Sequence, residues 1–233
     1  MSEVSAAVAL SLPERRAAAL RKGKTDDTSR TRRRRKRDEE VLNAAAKVFS
    51  ERGYSDASVQ DVADELGILK GSLYHYIRTK EDLLFWLLEE VHRDVEEILD
   101  EIAEMDGVNP LEQLDLYVRR QVVYNLENLK RISIYYQDLD RLSEPRRKHI
   151  IERRAEHDRF ITSLISDAQA QGLANPDLDP RLLSNCLFAT IIWTYRWYKP
   201  RGRASREAVA DVCAKFARAG IGGAPAIEAT SAS

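Results

Sequence analysis

The chain has 233 residues, of which 43% are hydrophobic and 32% are charged; its net charge is −1 and it contains two cysteines. This apolar content is enough for a folded core and excludes a chain that is disordered throughout. No segment reaches the roughly 20 consecutive apolar residues of a membrane-spanning helix. Two distant cysteines exclude a disulfide scaffold, and the lack of a Cys-x-x-Cys pair argues against zinc or redox chemistry. We therefore expect Cys186 and Cys213 to be small core residues.

The charge is unevenly distributed along the chain. Residues 1–37 contain 12 Lys/Arg and 4 Asp/Glu, a net charge of +8, whereas the remainder carries −9. The basic residues are densest at 31–37, which read TRRRRKR. A basic segment on an acidic body indicates a polyanionic partner at one end, although a solvated tail is the alternative interpretation. The apolar run at 4–12 follows Glu3 rather than a basic residue, so we expect no secretory signal and a cytoplasmic protein.

The helical hydrophobic period begins at residue 38, after an arm over 1–37 that we expect to be disordered. Apolar side chains then recur on one helical face at Val41, Ala45, Val48 and Phe49. Ser58 is predicted to cap a short helix over 59–66, Gly67 to form a turn, and a third short helix to span about 69–76.

The rest of the chain continues the helical pattern. Thr79 is expected to cap a long helix that ends near Gly107. Further helices are predicted over about 111–128, 132–142, 145–171, 179–198 and 205–219. No segment alternates with period two, so we predict an all-α fold of about nine helices without a sheet. The expected organisation is a helix-turn-helix DNA-binding domain at 38–84, a ligand-binding and dimerisation domain at 85–221, and a disordered tail at 222–233.

The most informative segment is residues 58–80, SVQDVADELGILKGSLYHYIRTK. Two short helices joined by a glycine-containing turn are typical of a helix-turn-helix. Its second helix is expected to present Lys70, Gly71, Ser72, Tyr74, His75 and Tyr76. Short polar groups there can reach base edges in the major groove, whereas tyrosine hydroxyls and Lys80 can donate to phosphates. The structural alternative is a helical hairpin with a solvated polar face.

Residues 38–86 resemble the DNA-binding domain of the TetR family of repressors. The family pattern F-x-E-x-G-Y/F reads FSERGY at 49–54, T/S-V-x-D-V/I-A reads SVQDVA at 58–63, and the recognition-helix pattern reads GSLYHYIRTKEDL at 71–83. The departures at Tyr76 and Ile77 are mild. The resemblance implies DNA contacts at Ser58, Lys70, Ser72, Tyr74, Tyr76 and Lys80. It also implies nine helices, with the fourth linking the domains and the last two forming a homodimer. The arginine-rich arm, with Arg34 and Arg35, would then lie in the adjacent minor groove of double-stranded operator DNA.

The aromatic segments at 134–138 and 193–200 resemble those of TetR-type regulators that respond to acyl-CoA thioesters in lipid and steroid catabolism. This resemblance implies a small-molecule effector, whose binding releases the DNA. Candidate ligand residues are Arg120, Tyr135, Tyr136, Trp193, Arg196 and Trp197, with the two arginines near the anionic part. The alternative is that Trp193 and Trp197, four residues apart, are core or dimer contacts. Candidate dimer residues are Leu182, Leu183, Leu187, Ile191, Val209, Val212 and Phe216.

Two other classes of protein were considered. A Gly-rich phosphate loop, a metal-ligand spacing and a nucleophile elbow are all missing from the sequence, so we predict neither an enzyme nor a bound cofactor or metal. His149 and His157 are expected on a solvated face, and His92 on the surface or between domains. A helical protein-interaction module and a helical enzyme remain alternatives, and salt-dependent binding to promoter DNA separates them from a regulator.

Overall fold

The computed structural model describes residues 28–222, with side chains described from residue 37. Every regular element in this part of the chain is helical, which confirms the predicted all-α class. The helices are α1 (Thr28–Arg52), α2 (Val59–Glu65), α3 (Lys70–Leu73), α4 (Lys80–Ala103), α5 (Pro110–Glu127), α6 (Leu129–Asp138), α7 (Glu144–Ala170), α8 (Pro180–Ile192), α9 (Thr194–Trp197) and α10 (Arg206–Gly222), with a 3-10 turn at Leu139–Arg141. When the single turn α9 is counted with α8, residues 28–222 contain the expected nine helices.

The chain divides into two units, residues 1–40 and residues 41–233. In the described part of the first unit the backbone is helical from Thr28, ten residues before the predicted start at Asp38. Arg37 Nη1 donates to Glu40 Oε2 at 3.0 Å, one turn further along. Residues 1–27, the side chains of Arg34 and Arg35, and the tail from residue 223 lie outside the described residues.

Two capping boxes define the starts of α2 and α4 in the second unit. Ser58 caps α2: its Oγ accepts from the Asp61 N–H, and the Asp61 carboxylate accepts from the Ser58 N–H at 2.8 Å. Thr79 caps α4 in the same way with Asp82. These reciprocal bonds satisfy backbone donors that a helix start leaves unpaired, so the local sequence alone fixes both helix starts.

Helix α4 is the longest apolar element of the second unit and contacts α5, α6 and α7. It buries Leu83, Leu84, Leu87, Leu88, Val91, Val95, Leu99 and Ile102 on one face. Trp86 lies away from that face and is 37% exposed. Helix α5 packs along α10 and α7, which completes the core. No helix within residues 28–222 is long and apolar enough to cross a membrane.

The helix predicted over 179–198 is interrupted at Trp193. The Trp193 N–H still donates to Ala189 O at 3.2 Å, but the next turn tightens, with Arg196 N donating to Trp193 O at 3.1 Å. The buried Thr194 hydroxyl donates to Ile191 O at 2.7 Å. A side chain that bonds its own backbone in this way competes with the regular helical ladder and favours a bend. The residues after the break therefore leave the face that α8 buries.

Candidate functional site

The outward surface of α3 and the turn that follows it is the predicted DNA-contacting face. Leu73 and Ile77 are buried and anchor this segment to the core, whereas Tyr74 and Tyr76 are 47% and 39% exposed. Lys70, Gly71 and His75 are exposed and Ser72 is half-buried. Regular helix ends at Leu73, but Tyr74 N and Ile77 N still donate to Lys70 O and Leu73 O. The predicted residues therefore share one exposed surface.

Two details of this surface concern close approach by a partner. A Cβ added at Gly71 would meet no atom within 4 Å, so packing within the chain does not require glycine there. Leu69, directly before α3, is 80% exposed. An exposed leucine offers an apolar contact of the kind that a thymine methyl group accepts. The sequence analysis did not single out Leu69, because an isolated leucine carries no polar signal.

Lys80 was expected to donate to phosphate, but its ammonium group donates to backbone carbonyls of the chain itself. Its ammonium group donates to Tyr54 O at 2.6 Å, to Ser55 O at 3.2 Å and to Ala57 O at 2.7 Å. It also lies 4.4 Å from the centre of the Tyr54 ring. An ammonium has three N–H donors, and these carbonyls use all of them. Lys80 therefore holds the loop before α2, and a phosphate contact would require exchanging one of these bonds.

The Ser58 hydroxyl is exposed but engaged in the α2 capping box, where it donates to Asp61 Oδ2 at 2.7 Å. Asp61 also pairs with Arg52 at the end of α1. The hydrogen bonds from the Ser58 hydroxyl and N–H hold the pKa of Asp61 below its ordinary value. Ser58 is thus held at the start of α2 by α1 and α2 together.

Helices α6 and α7 are connected to α1 and α4 by hydrogen bonds and ion pairs. Arg131 of α6 contacts Glu90 Oε2 at 3.0 Å and donates to Asn43 Oδ1 at 2.8 Å. At the start of α7, the Ser143 N–H and hydroxyl both donate to Glu81 Oε1, at 2.9 and 2.7 Å. These two bonds hold the pKa of Glu81 below its ordinary value. Arg146 pairs with Asp82, whose carboxylate completes the capping box of α4.

A cavity of about 170 Å³ lies among α4, α5, α6, α7 and α8. Its wall is mainly apolar with several polar groups: Val91, His92, Val95, Tyr117, Gln121, Asn125, Ile132, Tyr135, Tyr136, Arg154, His157, Asp158, Asn185, Phe188, Ile191 and Ile192. An apolar cavity with a few converging polar groups is typical of a small-molecule site.

The hydroxyl of Tyr135 joins three helices at one side of this cavity. It lies 3.0 Å from His92 Nε2 on α4 and accepts from Arg154 Nε on α7 at 3.2 Å. The Arg154 guanidinium lies 5.1 Å from the centre of the Tyr135 ring and 5.5 Å from that of Tyr136. Burial raises the pKa of both tyrosines, so both stay neutral at physiological pH. Among the described residues Arg154 donates only through Nε, which leaves its two Nη groups for a ligand.

His157 was expected on a solvated face, and His92 on the surface or between domains. Both are buried, at 9% and 2% exposure. Their rings lie 5.1 Å apart on α4 and α7, which face each other across the core. Burial, with a smaller contribution from His157, lowers the pKa of His92 to about 3. His92 is therefore a neutral side chain of the cavity wall. His149 does lie on an exposed surface, where it contacts Glu89.

Of the six predicted ligand residues, only Tyr135 and Tyr136 line the cavity. Trp193 and Trp197 are 60% and 51% exposed, because the chain bends at Trp193. Arg196 lies over the Trp193 ring at 5.7 Å, and Arg120 pairs with Glu101. Four polar wall residues were not predicted from the sequence as ligand residues: His92, Gln121, Arg154 and Asp158. No local signal could have found them, since they come from three helices that are far apart in sequence.

An exposed apolar face is formed by Leu182 on α8 and by Val212 and Phe216 on α10, at 65%, 66% and 68% exposure. Three other dimer candidates, Leu187, Ile191 and Val209, are instead buried within the chain, and Leu183 packs against the core. Cys213 is buried as expected, whereas Cys186 is exposed. Among the described residues no cluster of three His, Cys, Asp or Glu could hold a metal ion.

Two protein-family patterns match the chain: bacterial regulatory proteins of the tetR family over residues 41–86, and the tetracyclin repressor-like C-terminal domain over residues 107–221. The HTH-type transcriptional repressor KstR2 of Mycolicibacterium smegmatis is 32% identical over 182 residues, which cover 74% of this chain and 84% of that protein.

Two solved structures are also similar. AibR in complex with isovaleryl coenzyme A and operator DNA is 29% identical, with a TM-score of 0.71 over 77% of this chain and 97% of AibR. The ketosteroid transcriptional regulator KstR2 of Mycobacterium tuberculosis is 29% identical, with a TM-score of 0.75 over 81% of this chain and 96% of that one.

Proposed function

Since the chain belongs to the TetR family of transcriptional regulators, we propose that it is a homodimeric repressor that an acyl-CoA thioester releases from operator DNA. We assign residues 38–84 to DNA binding and residues 85–221 to ligand binding and dimerisation. The observation that carries the proposal is the exposed polar surface of α3, anchored by the buried Leu73 and Ile77. A second observation, the cavity among the later helices, supports the response to a ligand.

The DNA contacts are assigned to the exposed surface of the helix-turn-helix. The residues are Ser58, Lys70, Gly71, Ser72, Tyr74, His75 and Tyr76. Short polar side chains near the start of a recognition helix reach base edges, and the tyrosine hydroxyls donate to phosphates. Arg34 and Arg35 of the basic segment add charge that favours a polyanion. Lys80 positions the loop that precedes Ser58 through its three carbonyl contacts.

The ligand is assigned to an acyl-CoA thioester because its parts match two surfaces. A cavity of about 170 Å³ holds a small acyl group but not the nucleotide of coenzyme A. The exposed Trp193, Arg196 and Trp197 are suited to the nucleotide, because aromatic faces stack on bases and arginine pairs with phosphate. Arg154, with its free Nη groups, is suited to the thioester carbonyl. Isovaleryl coenzyme A is the ligand named for AibR.

This function needs no catalytic step. The family consists of regulators rather than enzymes, and we propose that the chain has no activity beyond binding. We also propose that the chain acts in the cytoplasm, where operator DNA would be bound. The exposed apolar face of Leu182, Val212 and Phe216 is assigned to the homodimer, since a two-fold dimer presents two recognition helices about 34–36 Å apart, one turn of DNA.

The test is an operator-release assay with the full chain and its own promoter fragment. Fluorescence anisotropy is measured against salt, and then against isovaleryl-CoA, coenzyme A and the free acid. We expect salt-dependent binding and release by the thioester. Binding that does not weaken with salt would favour a protein-interaction module. Release by an unrelated small molecule but by no thioester would keep the regulator and overturn the ligand.

The same assay tests the basic segment. Each neutralised phosphate contributes a slope of roughly −0.9 in log affinity against log salt. We expect a chain beginning at residue 31 to match the full chain, and a chain beginning at Asp38 to bind more weakly with a shallower slope. Equal slopes for all three would show that residues 31–37 do not contact DNA.

A further inference from the structure

Three polar atoms in the cavity wall have no hydrogen-bond partner among the described residues: His92 Nδ1, Gln121 Oε1 and His157 Nε2. The side chains of His92 and Gln121 are more than nine-tenths buried, at 2% and 6% exposure. The third atom, His157 Nε2, lies 3.8 Å from the Glu96 carboxylate and is directed towards that charge. Buried polar groups are nearly always paired, so an unpaired one in a cavity wall indicates a missing partner.

The hydrogen-bond network makes His92 Nδ1 a donor. Arg154 Nε can only donate, so the Tyr135 oxygen accepts from it and the Tyr135 O–H is left to donate to His92 Nε2. The ring is neutral because burial lowers the pKa of His92 to about 3. A neutral imidazole with an accepting Nε2 carries its proton on Nδ1. The cavity therefore contains an N–H that lacks an acceptor.

A second network makes Gln121 Oε1 an acceptor. Gln121 Nε2 donates to Asn125 Oδ1 at 2.9 Å, and Asn125 Nδ2 faces Ile191 O at 3.5 Å. A backbone carbonyl can only accept, so the Asn125 amide nitrogen must face Ile191 and its oxygen must face Gln121. Reversing either amide would set two oxygens against each other. The cavity therefore also contains an oxygen that lacks a donor.

The cavity that His92 and Gln121 line is small, and its wall is mainly apolar. Its volume of about 170 Å³ is close to the roughly 150 Å³ of a cavity that binds benzene. Val95, Phe188 and Ile192 provide apolar wall. A group of this size, rather than a long acyl chain, fits the cavity.

We propose that the acyl group is short, branched or cyclic, and hydroxylated, with its hydroxyl donating to Gln121 Oε1. The thioester carbonyl oxygen, which has two lone pairs, accepts from His92 Nδ1 as well as from Arg154. This proposal rests on the proposed function and specifies its ligand. An acyl group without a hydroxyl would leave Gln121 Oε1 unpaired. We expect a hydroxylated acyl-CoA to bind about 10- to 100-fold more tightly than its parent, because a buried unpaired group costs one to two orders of magnitude in affinity.

The experiment compares matched thioesters on the full chain by calorimetry and by operator release. The probes are isovaleryl-CoA and butanoyl-CoA, each with its 3-hydroxy and 4-hydroxy derivatives, and palmitoyl-CoA as a long chain. At least one hydroxylated probe is expected to bind tenfold or more tightly than its parent. Palmitoyl-CoA is expected to bind least.

Two variants locate the effect. Gln121→Met removes the acceptor at similar volume and is expected to bring the ratio of hydroxylated to parent affinity close to 1. Ser184→Ala is the matched control, because Ser184 Oγ is also buried and unpaired but does not line the cavity. It is expected to leave the ratio unchanged. Thermal melting checks that each variant folds, and the ratio on the unaltered chain decides the matter even if Gln121→Met does not fold.

The outcomes separate this proposal from the function on which it rests. If parent thioesters release operator DNA as well as every hydroxylated one does, the function stands and the hydroxyl assignment is overturned. A hydroxyl preference that Gln121→Met retains also overturns it. If no thioester binds or releases DNA, the acyl-CoA assignment and this proposal are both overturned.

Discussion

Three backbone carbonyl oxygens, of Tyr54, Ser55 and Ala57, accept the three N–H groups of Lys80. They belong to the loop that leads into Ser58, the N-cap of α2. The charge of Lys80 therefore acts on the position of the helix-turn-helix, whereas Lys70 is exposed beside Tyr74 and faces solvent. Two lysines of one small domain have different roles because one has backbone acceptors within reach.

Replacing each lysine with methionine tests this difference. Lys80→Met should lower the free energy of unfolding by about 2 kcal/mol, since hydrogen bonds from a charged donor contribute about that much, and should leave the salt slope of DNA binding unchanged. Lys70→Met is the matched control and should weaken DNA binding with little effect on stability. Urea denaturation and salt-dependent anisotropy measure the two quantities. A reduced salt slope with unchanged stability in Lys80→Met would instead indicate that Lys80 contacts phosphate.

His92 makes stability depend on pH. Its folded pKa of about 3 lies below the ordinary value of 6.5, first because of burial and then because of His157 and Arg153. Between these values the unfolded chain binds more protons, so stability decreases as the pH falls below about 6.5. From pH 7 to pH 5 this one group should cost about 2 kcal/mol.

The His92→Phe variant should therefore lose less stability than the unaltered chain between pH 7 and pH 5. Urea denaturation at both pH values measures the difference. The Tyr135 hydroxyl keeps its bond from Arg154 in this variant, which limits other damage. Parallel pH dependence in the two proteins would show that His92 takes up its proton in the folded state.

At the scale of single elements, α6 connects the cavity with α1 and α4. Tyr135 lines the cavity, and Arg131, one turn earlier on α6, contacts Glu90 on α4 and Asn43 on α1. A rigid helix with both contacts transmits a displacement from one end to the other. A ligand that prefers one position of α6 thereby changes the affinity for DNA.

Arg131→Met should uncouple the two sites. The ligand should still bind, but the change in operator affinity that it causes should shrink by about fivefold or more, since typical coupling is 5- to 150-fold. Lys130→Met is the control, because its pair with Glu51 is exposed and 3.6 Å long. The measurement is operator affinity with and without saturating thioester. Full release from the Arg131 variant would exclude this contact as a link.

The starts of α2 and α4 could be predicted from the sequence because their capping signals are local. Ser58 with Asp61, and Thr79 with Asp82, specify helix starts within four residues. The break at Trp193 could not be predicted, because it depends on Thr194 being buried against the rest of the chain. Two tryptophans at a spacing typical of one helix face therefore lie outside the cavity.

The cavity is a property of the whole molecule, and the sequence predicted only part of it. Tyr135 and Tyr136 were predicted as ligand residues because the aromatic segment at 134–138 resembles that of regulators that respond to acyl-CoA thioesters. Arg154 was overlooked because α7 carries many arginines, and only its packing against α6 distinguishes the one that contacts both tyrosines. Long-range packing determines which polar side chains line the cavity, and the hydrophobic period of a helix does not indicate them.

The quaternary assignment leads to a prediction for two apolar residues. Phe216→Glu alters a side chain that is 68% exposed and should give a folded monomer that binds operator more than about tenfold more weakly, since one recognition helix reads too few bases. Leu187→Glu places a charge at a position that is 3% exposed and should unfold the chain. Sedimentation and circular dichroism distinguish the two results. A dimer of unchanged affinity in Phe216→Glu would place the interface elsewhere.

The meeting of three helices at the Tyr135 hydroxyl has a consequence for the engineering of biosensors. Wall residues such as Val95, Phe188 and Ile192 shape the cavity without taking part in that junction. A mutant library confined to these three positions changes which inducer is accepted while the mechanical connection to α4 stays intact. Randomising Tyr135 alters both ligand binding and the contact between helices. Such libraries would therefore contain many proteins that bind a new molecule without a change in DNA affinity.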